Sequence, residues 1–315
     1  MELLGIHHLT AVTADIRDNH RFYTQTLGMR LVKRSVNQDD VSAYHLFYAD
    51  RKGTPGSDLT FFDWPVRRER RGAGSITRTS LRVNGAASLE WWARHLADSA
   101  VCAGNVLERD GRLQLDLEDR EGQRLTFVDD HGEGDAYPWE RSPVPPEHQV
   151  RGLGPVTLSV PNLRSIDTLL QRTLNMRAIR EYAHPDTPRD TVHVYEMSEG
   201  GAHAELHVAV QPDLAPAAGG AGGVHHVAFR TPDVDYDAWA DRLNRHGVRN
   251  SGKVDRYWFR SLYFRESNGI LFEIASDGPG FTVDEDEATL GERVVLAPFL
   301  EPQRAAIIAT LKPID

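Results

Sequence analysis

The sequence has very little cysteine, no long apolar run and fewer basic than acidic residues. Cys102 is the single cysteine in 315 residues. One cysteine excludes an internal disulfide framework and predicts a reducing compartment, so we expect a cytoplasmic protein. No stretch approaches the roughly 18 to 20 apolar residues that a membrane span requires. The opening MELLGIHHLT lacks the basic leader of a signal peptide, so we expect no membrane partner.

The charge balance argues against a polyanionic partner. Lysine and arginine number 36 against 46 aspartate and glutamate residues, a formal net charge of −10, which opposes binding to nucleic acid. The basic cluster RRERR at Arg67–Arg71 is typical of a solvated loop. The glycine-rich GGAGGVHH leads into a strand, whereas a dinucleotide-binding loop opens a helix. Nucleic acid, flavin and nicotinamide are therefore not expected.

Two pairs of segments repeat at a distance along the chain. GIHHLTAV at 5–12 returns as GVHHVAFR at 223–230, and TLGMRLVKR at 26–34 returns as TLNMRAIRE at 173–181. Each copy of the second pair follows an amphipathic helical pattern. Gly28 and Asn175 then stand where a helix C-cap favours a residue that tolerates left-handed backbone geometry. The chain is therefore built from related units.

Four such units, each a strand, a helix and three further strands, account for most of the chain, and their short strands predict an α+β fold. The predicted units span 5–64, 75–130, 152–210 and 223–276. The stretch at 131–151 is rich in proline and glycine and is predicted to link two tandem halves. The predicted division is an N-terminal half at 1–130, the linker at 131–151, a C-terminal half at 152–276 and a tail at 277–315, whose segment EPQRAAIIATL suggests a helix.

Four βαβββ modules with this spacing resemble the vicinal oxygen chelate superfamily, which includes glyoxalases and extradiol dioxygenases. The motifs GIHHLTAV, LTFFDWP, DRYWFRSLYFRE and GILFEIASDGPGF resemble in particular its four-module ring-cleaving dioxygenases of the hydroquinone type. The resemblance spans nearly the whole chain. It implies that modules pair into curved half-barrel sheets, each around a cleft that can hold a metal.

The resemblance places metal ligands on the first and last strands of a module. The first-strand residues at these positions are His8, Thr79, Val156 and His226. Aligning the last strands on a shared aromatic gives Phe62, Val128, His207 and Glu273. Modules one and four alone supply a histidine on the first strand, and module four adds the carboxylate of Glu273 on its last strand, which predicts that one pairs with four and two with three.

Two histidines and one carboxylate, here His8, His226 and Glu273, form a set that typically binds Fe(II) and leaves positions open for substrate and dioxygen. We therefore expect Fe(II), with Mn(II) as the alternative, and dioxygen as co-substrate. Glu273 interrupts the apolar GILFEIA, and a buried carboxylate needs a cation or hydrogen-bond donors.

Each histidine taken singly has a simpler interpretation, because a histidine at a strand start is often a hydrogen-bonded core residue. His207, which shares a strand face with Glu205, competes as a ligand, but packing is favoured for it. Packing is also favoured for His45, although it could line the cleft from module one.

The remaining site residues come from the resemblance and keep their alternatives. It favours the second histidine of each pair as ligand and brings His7 and His225 near the site as supporting or acid-base groups. Strict alternation of side chains along a strand opposes that proximity unless the strand begins irregularly. Arg256 and Tyr263 would contact the substrate, with a surface ion pair and a sheet aromatic as the alternatives. The predicted substrate pocket consists of Thr10, Phe62 and Trp64.

These features predict a non-haem Fe(II) dioxygenase that cleaves the ring of a hydroquinone- or catechol-type diol. A glyoxalase-type isomerase or a metal-dependent thiol transferase is the alternative enzyme on the same fold. The third hypothesis is a protein that binds an aromatic or drug molecule without catalysis. A homo-oligomer is compatible with each of these functions.

Overall fold

The computed structural model describes residues 1–314, and these repeat the order strand, helix and three strands four times. The strands are β1 (Ile6–Thr13), β2 (Arg30–Val36), β3 (Tyr44–Ala49), β4 (Asp58–Asp63), β5 (Ser75–Val83), β6 (Leu107–Arg109), β7 (Arg112–Glu118), β8 (Arg124–Asp129), β9 (Leu153–Val160), β10 (Arg177–Ala183), β11 (Thr191–Glu196), β12 (Glu205–Val210), β13 (Val224–Thr231), β14 (Val254–Asp255), β15 (Arg260–Arg265) and β16 (Leu271–Ser276). The α-helices are α1 (Ile16–Arg21), α2 (Gly85–Asp98), α3 (Arg164–Thr168), α4 (Tyr236–Arg245) and α5 (Arg304–Thr310).

The strands form two eight-stranded half-barrel sheets. One has the order β14-β15-β16-β13-β1-β4-β3-β2 and the other the order β10-β11-β12-β9-β5-β8-β7-β6. In each sheet the first strands of two modules meet as an antiparallel pair, β1 with β13 and β5 with β9. The predicted α+β fold and the pairing of module one with four and two with three are therefore confirmed.

The helices of modules one and three share an unusual ending. α1 runs directly into a π-helical turn at Phe22–Thr26, and α3 into one at Leu169–Thr173. Gly28 and Asn175 then have φ angles of +69° and +58°, so both take the left-handed geometry that the repeat predicts. A Cβ atom at Gly28 would lie 2.5 Å from Ser142 Oγ, because the linker between the tandem halves packs against this turn.

The helices of modules two and four bury one stripe of side chains against their sheets. Leu89, Trp92 and Leu96 of α2 are inaccessible to solvent, and so are Trp239 and Leu243 of α4. The spacing of three and four residues places each set on one helix face. This covers one face of each sheet and leaves the other face for a cleft.

The C-terminal segment packs on the sheet of modules one and four. The side chain of Lys33 in β2 is buried beneath it and binds Asp284 and Glu285. The predicted tail helix is present as α5, while Asp315, the end of the predicted tail, lies outside the described residues. No helix within residues 1–314 has the length and apolar character for crossing a membrane. Each sheet takes one module from each tandem half, so the division into halves stays a proposal about sequence organisation.

Candidate metal centre

Irregularities in the strand pairing place both histidine pairs at the junction of β1 and β13. Ile6 lies opposite Phe229, but His8 lies opposite Ala228, so His7 is an extra residue in β1. A second register shift follows the pairing of Thr10 with His226 and makes His225 the extra residue in β13. A β-bulge breaks the strict alternation of side chains. Neighbouring histidines can therefore approach the same site.

His8, His226 and Glu273 converge at this junction. His8 Nε2 lies 3.2 Å and His226 Nε2 lies 3.0 Å from Glu273 Oε2. All three side chains are buried, with exposed fractions of 2%, 3% and 0%. Their ligand atoms lie within 4.8 Å of one another. The structure thus brings together the three predicted ligands from modules one and four.

The preceding histidine fixes which nitrogen of His8 faces the site. His7 Nε2 lies 3.1 Å from the carbonyl oxygen of Ser276, which can only accept a hydrogen bond, so His7 Nε2 donates. Burial, followed by the nearby charge of His8, lowers the pKa of His7 to about 3, so this ring is neutral and carries one proton. His7 Nδ1 must then accept from His8 Nδ1 at 2.9 Å. The Nε2 atom of His8 is left with a free lone pair, as a metal ligand requires.

The second pair repeats the arrangement. His225 Nδ1 lies 2.8 Å from His226 Nδ1, and burial followed by the charge of His226 lowers the pKa of His225 to about 3. His226 Nε2 lies 3.1 Å from Thr10 Oγ1. Thr10 continues to Thr60 at 2.8 Å, and Thr60 Oγ1 lies 2.9 Å from His45 Nε2. A hydrogen-bonded chain therefore extends from the centre to the opposite wall of the cleft.

The carboxylate of Glu273 shows that these residues fit a cation. Neither oxygen accepts a hydrogen bond of acceptable geometry from residues 1–314, although imidazole nitrogens lie 3.0 and 3.2 Å away. Burial alone would raise the pKa of the Glu273 carboxyl, yet His8 and His226 hold it well below its usual range. A buried anion without hydrogen bonds is costly. Short contacts without hydrogen-bond geometry are what converging ligands of one metal ion produce.

A narrow cleft of about 40 Å³ opens from the centre. Its walls carry the aromatic rings of Phe47, Phe62, Trp258, Phe259 and Tyr263 together with His45 and Arg256, and Asn37, Gln38 and Asp39 close one side. The cleft therefore combines the buried centre with a mainly aromatic wall.

Arg256 and Tyr263 face the cleft as a pair. Arg256 Nε lies 3.3 Å from the Tyr263 hydroxyl oxygen, and the guanidinium also binds Asp39 at 2.7 Å. Burial and the negative charge of Glu273 raise the pKa of the Tyr263 hydroxyl. Burial alone would lower the pKa of Arg256, but Asp39 and Tyr263 raise it. The cleft thus offers a protonated phenol and a guanidinium cation.

Four of the predicted site residues lie behind the cleft wall. His7 and His225 contact the two candidate ligands through their Nδ1 atoms, and neither lines the cleft. Trp64 packs against Phe62 and His225 with ring centroids 4.8 and 5.6 Å apart, and it lines a separate cavity of about 340 Å³. Thr10 reaches the centre through His226. Of the three residues predicted for the substrate pocket, Phe62 alone lines the cleft, while Thr10 and Trp64 lie behind its wall.

The register also corrects the predicted last-strand position of module one. Glu273 lies beside Ala228, the residue two positions after His226. The equivalent position in module one is Thr10, two positions after His8, and the residue beside it is Thr60. Phe62, predicted at this place, is displaced by two residues along β4 and is part of the cleft wall. Alignment on an aromatic residue was misleading because the aromatics of β4, Phe61 and Phe62, do not occupy the position that Phe272 occupies in β16.

The first strands of modules two and three are likewise shifted by one residue from the prediction. The first register shift precedes His8 in β1 and Arg78 in β5. His226 stands two positions before the partner of His8, and the residue two positions before Thr157, the partner of Arg78, is Pro155. Thr79 and Val156 were therefore wrong as equivalents, but the corrected pair is still unable to supply imidazole or carboxylate ligands.

The second half-barrel holds a salt-bridge network where the first holds its centre. His207 lies beside β9 as Glu273 lies beside β13, and its Nε2 atom is 2.9 Å from Glu205 Oε2. Arg112 and Arg180 each bind the Glu205 carboxylate at 2.8 Å. Both oxygens are thereby neutralised by guanidinium groups. Asp110, Glu205 and His207 also lie close enough together to hold a metal ion, so the packing role of His207 stays a prediction.

Sequence reasoning did not assign Thr60, Trp258, Phe259 or the segment Asn37–Asp39 to the site. Trp258 and Phe259 stand inside the quoted motif DRYWFRSLYFRE and were available as a signal. His45 was assigned to packing, whereas it both packs against Phe47, with ring centroids 4.0 Å apart, and lines the cleft.

The whole chain is related to known dioxygenases. A family model described as the glyoxalase/bleomycin resistance protein/dioxygenase superfamily matches residues 5–127 and 152–274. The protein MhqA of Bacillus subtilis, named as a candidate ring-cleaving dioxygenase, is 44% identical over 318 residues that cover 100% of both chains. The chlorohydroquinone/hydroquinone 1,2-dioxygenase of Sphingobium indicum is 32% identical, over 98% of this chain and 95% of that protein.

Solved structures support the same relationship. The crystal structure of a candidate dioxygenase from Bacillus subtilis matches with a TM-score of 0.91 and 33% identity, over 100% of this chain and 98% of that one. Glyoxalase I from Zea mays shares the fold, with a TM-score of 0.62 and 14% identity over 87% of this chain and 92% of that one. The chain belongs to the glyoxalase, bleomycin resistance protein and dioxygenase superfamily.

Proposed function

We propose that the protein is an Fe(II)-dependent dioxygenase that cleaves the aromatic ring of a hydroquinone-type diol. The observation that carries the proposal is the buried Glu273 carboxylate at the base of an aromatic cleft: two imidazole nitrogens lie 3.0 and 3.2 Å from it, and it accepts no hydrogen bond of acceptable geometry from residues 1–314. Two histidines and a carboxylate are the ligands typical of non-haem Fe(II) oxygenases. Full-length similarity to a protein named chlorohydroquinone/hydroquinone 1,2-dioxygenase supports the para-diol.

The chain's own residues would bind, orient and shield the substrate. Bound iron would supply the one-electron chemistry with dioxygen that amino-acid side chains lack. Phe62 and Phe259 would pack against the flat ring, while Arg256 would stabilise negative charge on a ring oxygen. Tyr263 would donate a hydrogen bond, since its raised pKa keeps the hydroxyl protonated. His7 and His225 would hold the ligand imidazoles in orientation.

Substrate entry would require the cleft to widen. A volume of about 40 Å³ has room for only a few water molecules, and a six-membered ring needs more. Asp39 and Arg256 form an ion pair in the cleft lining, and the side chain of Asp39 is 73% exposed. We therefore expect this pair to separate when a diol enters, which frees the guanidinium for the substrate.

Oxygen uptake tests the function directly. The protein is loaded with Fe(II) under anaerobic conditions and then mixed with hydroquinone, chlorohydroquinone or catechol. We expect about one dioxygen consumed per diphenol, with both atoms of labelled dioxygen in a ring-opened acid, because the two electron pairs come from the ring. Background uptake with every diphenol, together with turnover of a glutathione hemithioacetal or an epoxide, would instead establish the isomerase or the transferase. Loading with Mn(II) in parallel identifies the metal.

Replacing Tyr263 with phenylalanine should slow turnover while the metal is retained. The hydroxyl lies in the cleft and contacts Arg256, whereas the ring contributes to the wall. Groups that support a metal site typically contribute about tenfold to a hundredfold, so we expect kcat to fall by about that factor. Metal content and hydroquinone-dependent kcat are measured in the same preparation. Tyr137→Phe removes a hydroxyl that binds the exposed Asp135 and should leave both values unchanged; an equal loss in the two variants would exclude a role for Tyr263.

The cytoplasmic location and the possibility of a homo-oligomer stay predictions. The first rests on the single cysteine, Cys102, which is exposed and free.

A further inference from the structure

The second half-barrel contains a cavity of about 230 Å³ beside the salt-bridge network of Glu205. Its polar lining includes three arginines from β5, β6 and β8, namely Arg78, Arg109 and Arg124, with Arg71 nearer the exterior. Val192 and Leu214 are the larger apolar side chains of the lining. Four guanidinium groups around one small cavity are unusual in a chain with a net charge of −10.

Three of these arginines have carboxylate partners. Arg78 and Arg109 share Asp116, at 2.8 and 2.9 Å. Arg71 binds Glu118 at 2.8 Å. One carboxylate therefore serves two of the arginines.

Arg124 is the exception. Its guanidinium makes no hydrogen bond or ion pair with any residue in the described part of the chain, 1–314. The negative charges of Glu69 and Glu118 act to raise its pKa, but neither carboxylate is within ion-pair distance. Asp186 also lines the cavity and forms no ion pair with Arg124. This side chain is half-buried and faces the cavity.

The crowding of cations is unfavourable without a further anion. Burial, followed by the positive charges of Arg71 and Arg78, lowers the pKa of Arg124. Burial also lowers the pKa of Arg78, and Arg109 adds to this effect against the opposing Asp116. An anion in the cavity would give Arg124 a partner and offset the repulsion among the guanidinium groups.

We propose that this cavity is a binding site for a small organic anion, a carboxylate of about the size of a six-carbon dicarboxylic acid, with Arg124 as its principal contact. The planar guanidinium matches a carboxylate in a bidentate pair. The cavity is smaller than the roughly 300 to 1,000 Å³ of sites for drug-sized ligands, and Val192 and Leu214 suit a carbon chain better than an inorganic anion. The site lies in the half-barrel without the metal centre and does not depend on the proposed activity.

Isothermal titration of the iron-loaded protein with cis,cis-muconate tests the site, with inorganic phosphate as the second probe. In Arg124→Gln, muconate affinity should fall by about tenfold or more, because a charge-assisted pair is lost. Arg245→Gln is the matched control, because Arg245 is exposed on α4 and its loss changes the net charge by the same amount. The affinity of this variant for muconate should equal that of the wild type.

Three outcomes would overturn the proposal. Muconate could fail to bind the wild type at millimolar concentration. Its affinity could be the same in Arg124→Gln, which would place it elsewhere, for example at the iron. Phosphate could bind as tightly as muconate, which would exclude the organic class. Circular dichroism of both variants verifies that a lost affinity is not a lost fold.

Discussion

Replacing Glu273 with glutamine is expected to abolish iron binding and turnover together. Glutamine preserves the shape of the side chain but removes the one negative charge among the three converging groups. Loss of a residue that merely supports a metal ligand costs about tenfold to a hundredfold in affinity. Loss of the charged ligand itself should cost more than about a hundredfold. Metal content after gel filtration and oxygen uptake with hydroquinone should both fall to background.

The same variant has a second readout that does not involve activity. In the metal-free wild type, His8 and His226 hold the pKa of the buried Glu273 carboxyl well below its usual range, so the folded state favours the anion. Metal-free Glu273→Gln should therefore melt at a temperature no higher than that of the metal-free wild type. Fe(II) at a hundred times its Kd should stabilise the wild type by about 2.7 kcal/mol and the variant hardly at all.

Glu205→Gln is the matched control, because Glu205 is an equally buried carboxylate beside a histidine in the other half-barrel. Its two arginine partners would lose their anion, so this variant should be less stable. It should nevertheless retain one iron per chain. Iron retained by Glu273→Gln and lost from Glu205→Gln would place the metal in the second half-barrel and contradict the proposal.

The module order and the pairing of the sheets could be predicted from the sequence because they depend on few residues. Only modules one and four carry a histidine at the first-strand position, and Glu273 belongs to module four, so a shared centre requires those two modules to meet. The left-handed turns at Gly28 and Asn175 were predictable for a similar reason: each follows a helical pattern at a place where few residue types fit.

The register could not be predicted, because one extra residue in a strand reverses the face of every side chain after it. The bulges at His7 and His225 are set by pairing between strands that lie more than two hundred residues apart in sequence. Strict alternation wrongly opposed the approach of neighbouring histidines to one site. The resemblance to the dioxygenases was more informative here than periodicity.

The cleft wall was predicted only in part, because several of its members come from distant segments. Gln38 and Asp39 follow β2, and they reach the cleft through contacts with Arg256, more than two hundred residues later. No local sequence pattern predicts a contact between segments so far apart. Trp64 was misplaced since it stands close to Phe62 in sequence, yet it packs behind that ring.

Replacing Lys33 with methionine is expected to destabilise the protein by about 3 to 5 kcal/mol, the cost of removing one partner from a buried ion pair. The Lys33 side chain has no exposed surface, and its ammonium binds Asp284 at 2.8 Å, Glu285, and the carbonyl of Phe281 at 3.2 Å. Methionine fills the space but leaves Glu285, which is also buried, without its cation. The free energy of unfolding is measured by urea denaturation of the metal-free protein.

The same substitution should weaken the cleft, because Trp258 donates a hydrogen bond from its indole nitrogen to Asp284 at 2.9 Å and lines the cleft wall. Release of the segment that carries Asp284 would loosen this indole, so KM for hydroquinone should rise in the folded, iron-loaded variant. Combining Lys33→Met with Glu285→Gln removes the unpaired charge and should restore part of the lost stability. Lys253→Met breaks an ion pair with Asp237 in which both side chains are more than half exposed, and it should cost less than about 1 kcal/mol. If Lys33→Met lost as little free energy of unfolding as Lys253→Met, the Lys33 ammonium would have to be accessible to water. The C-terminal segment could not then be what holds Trp258 in the cleft wall.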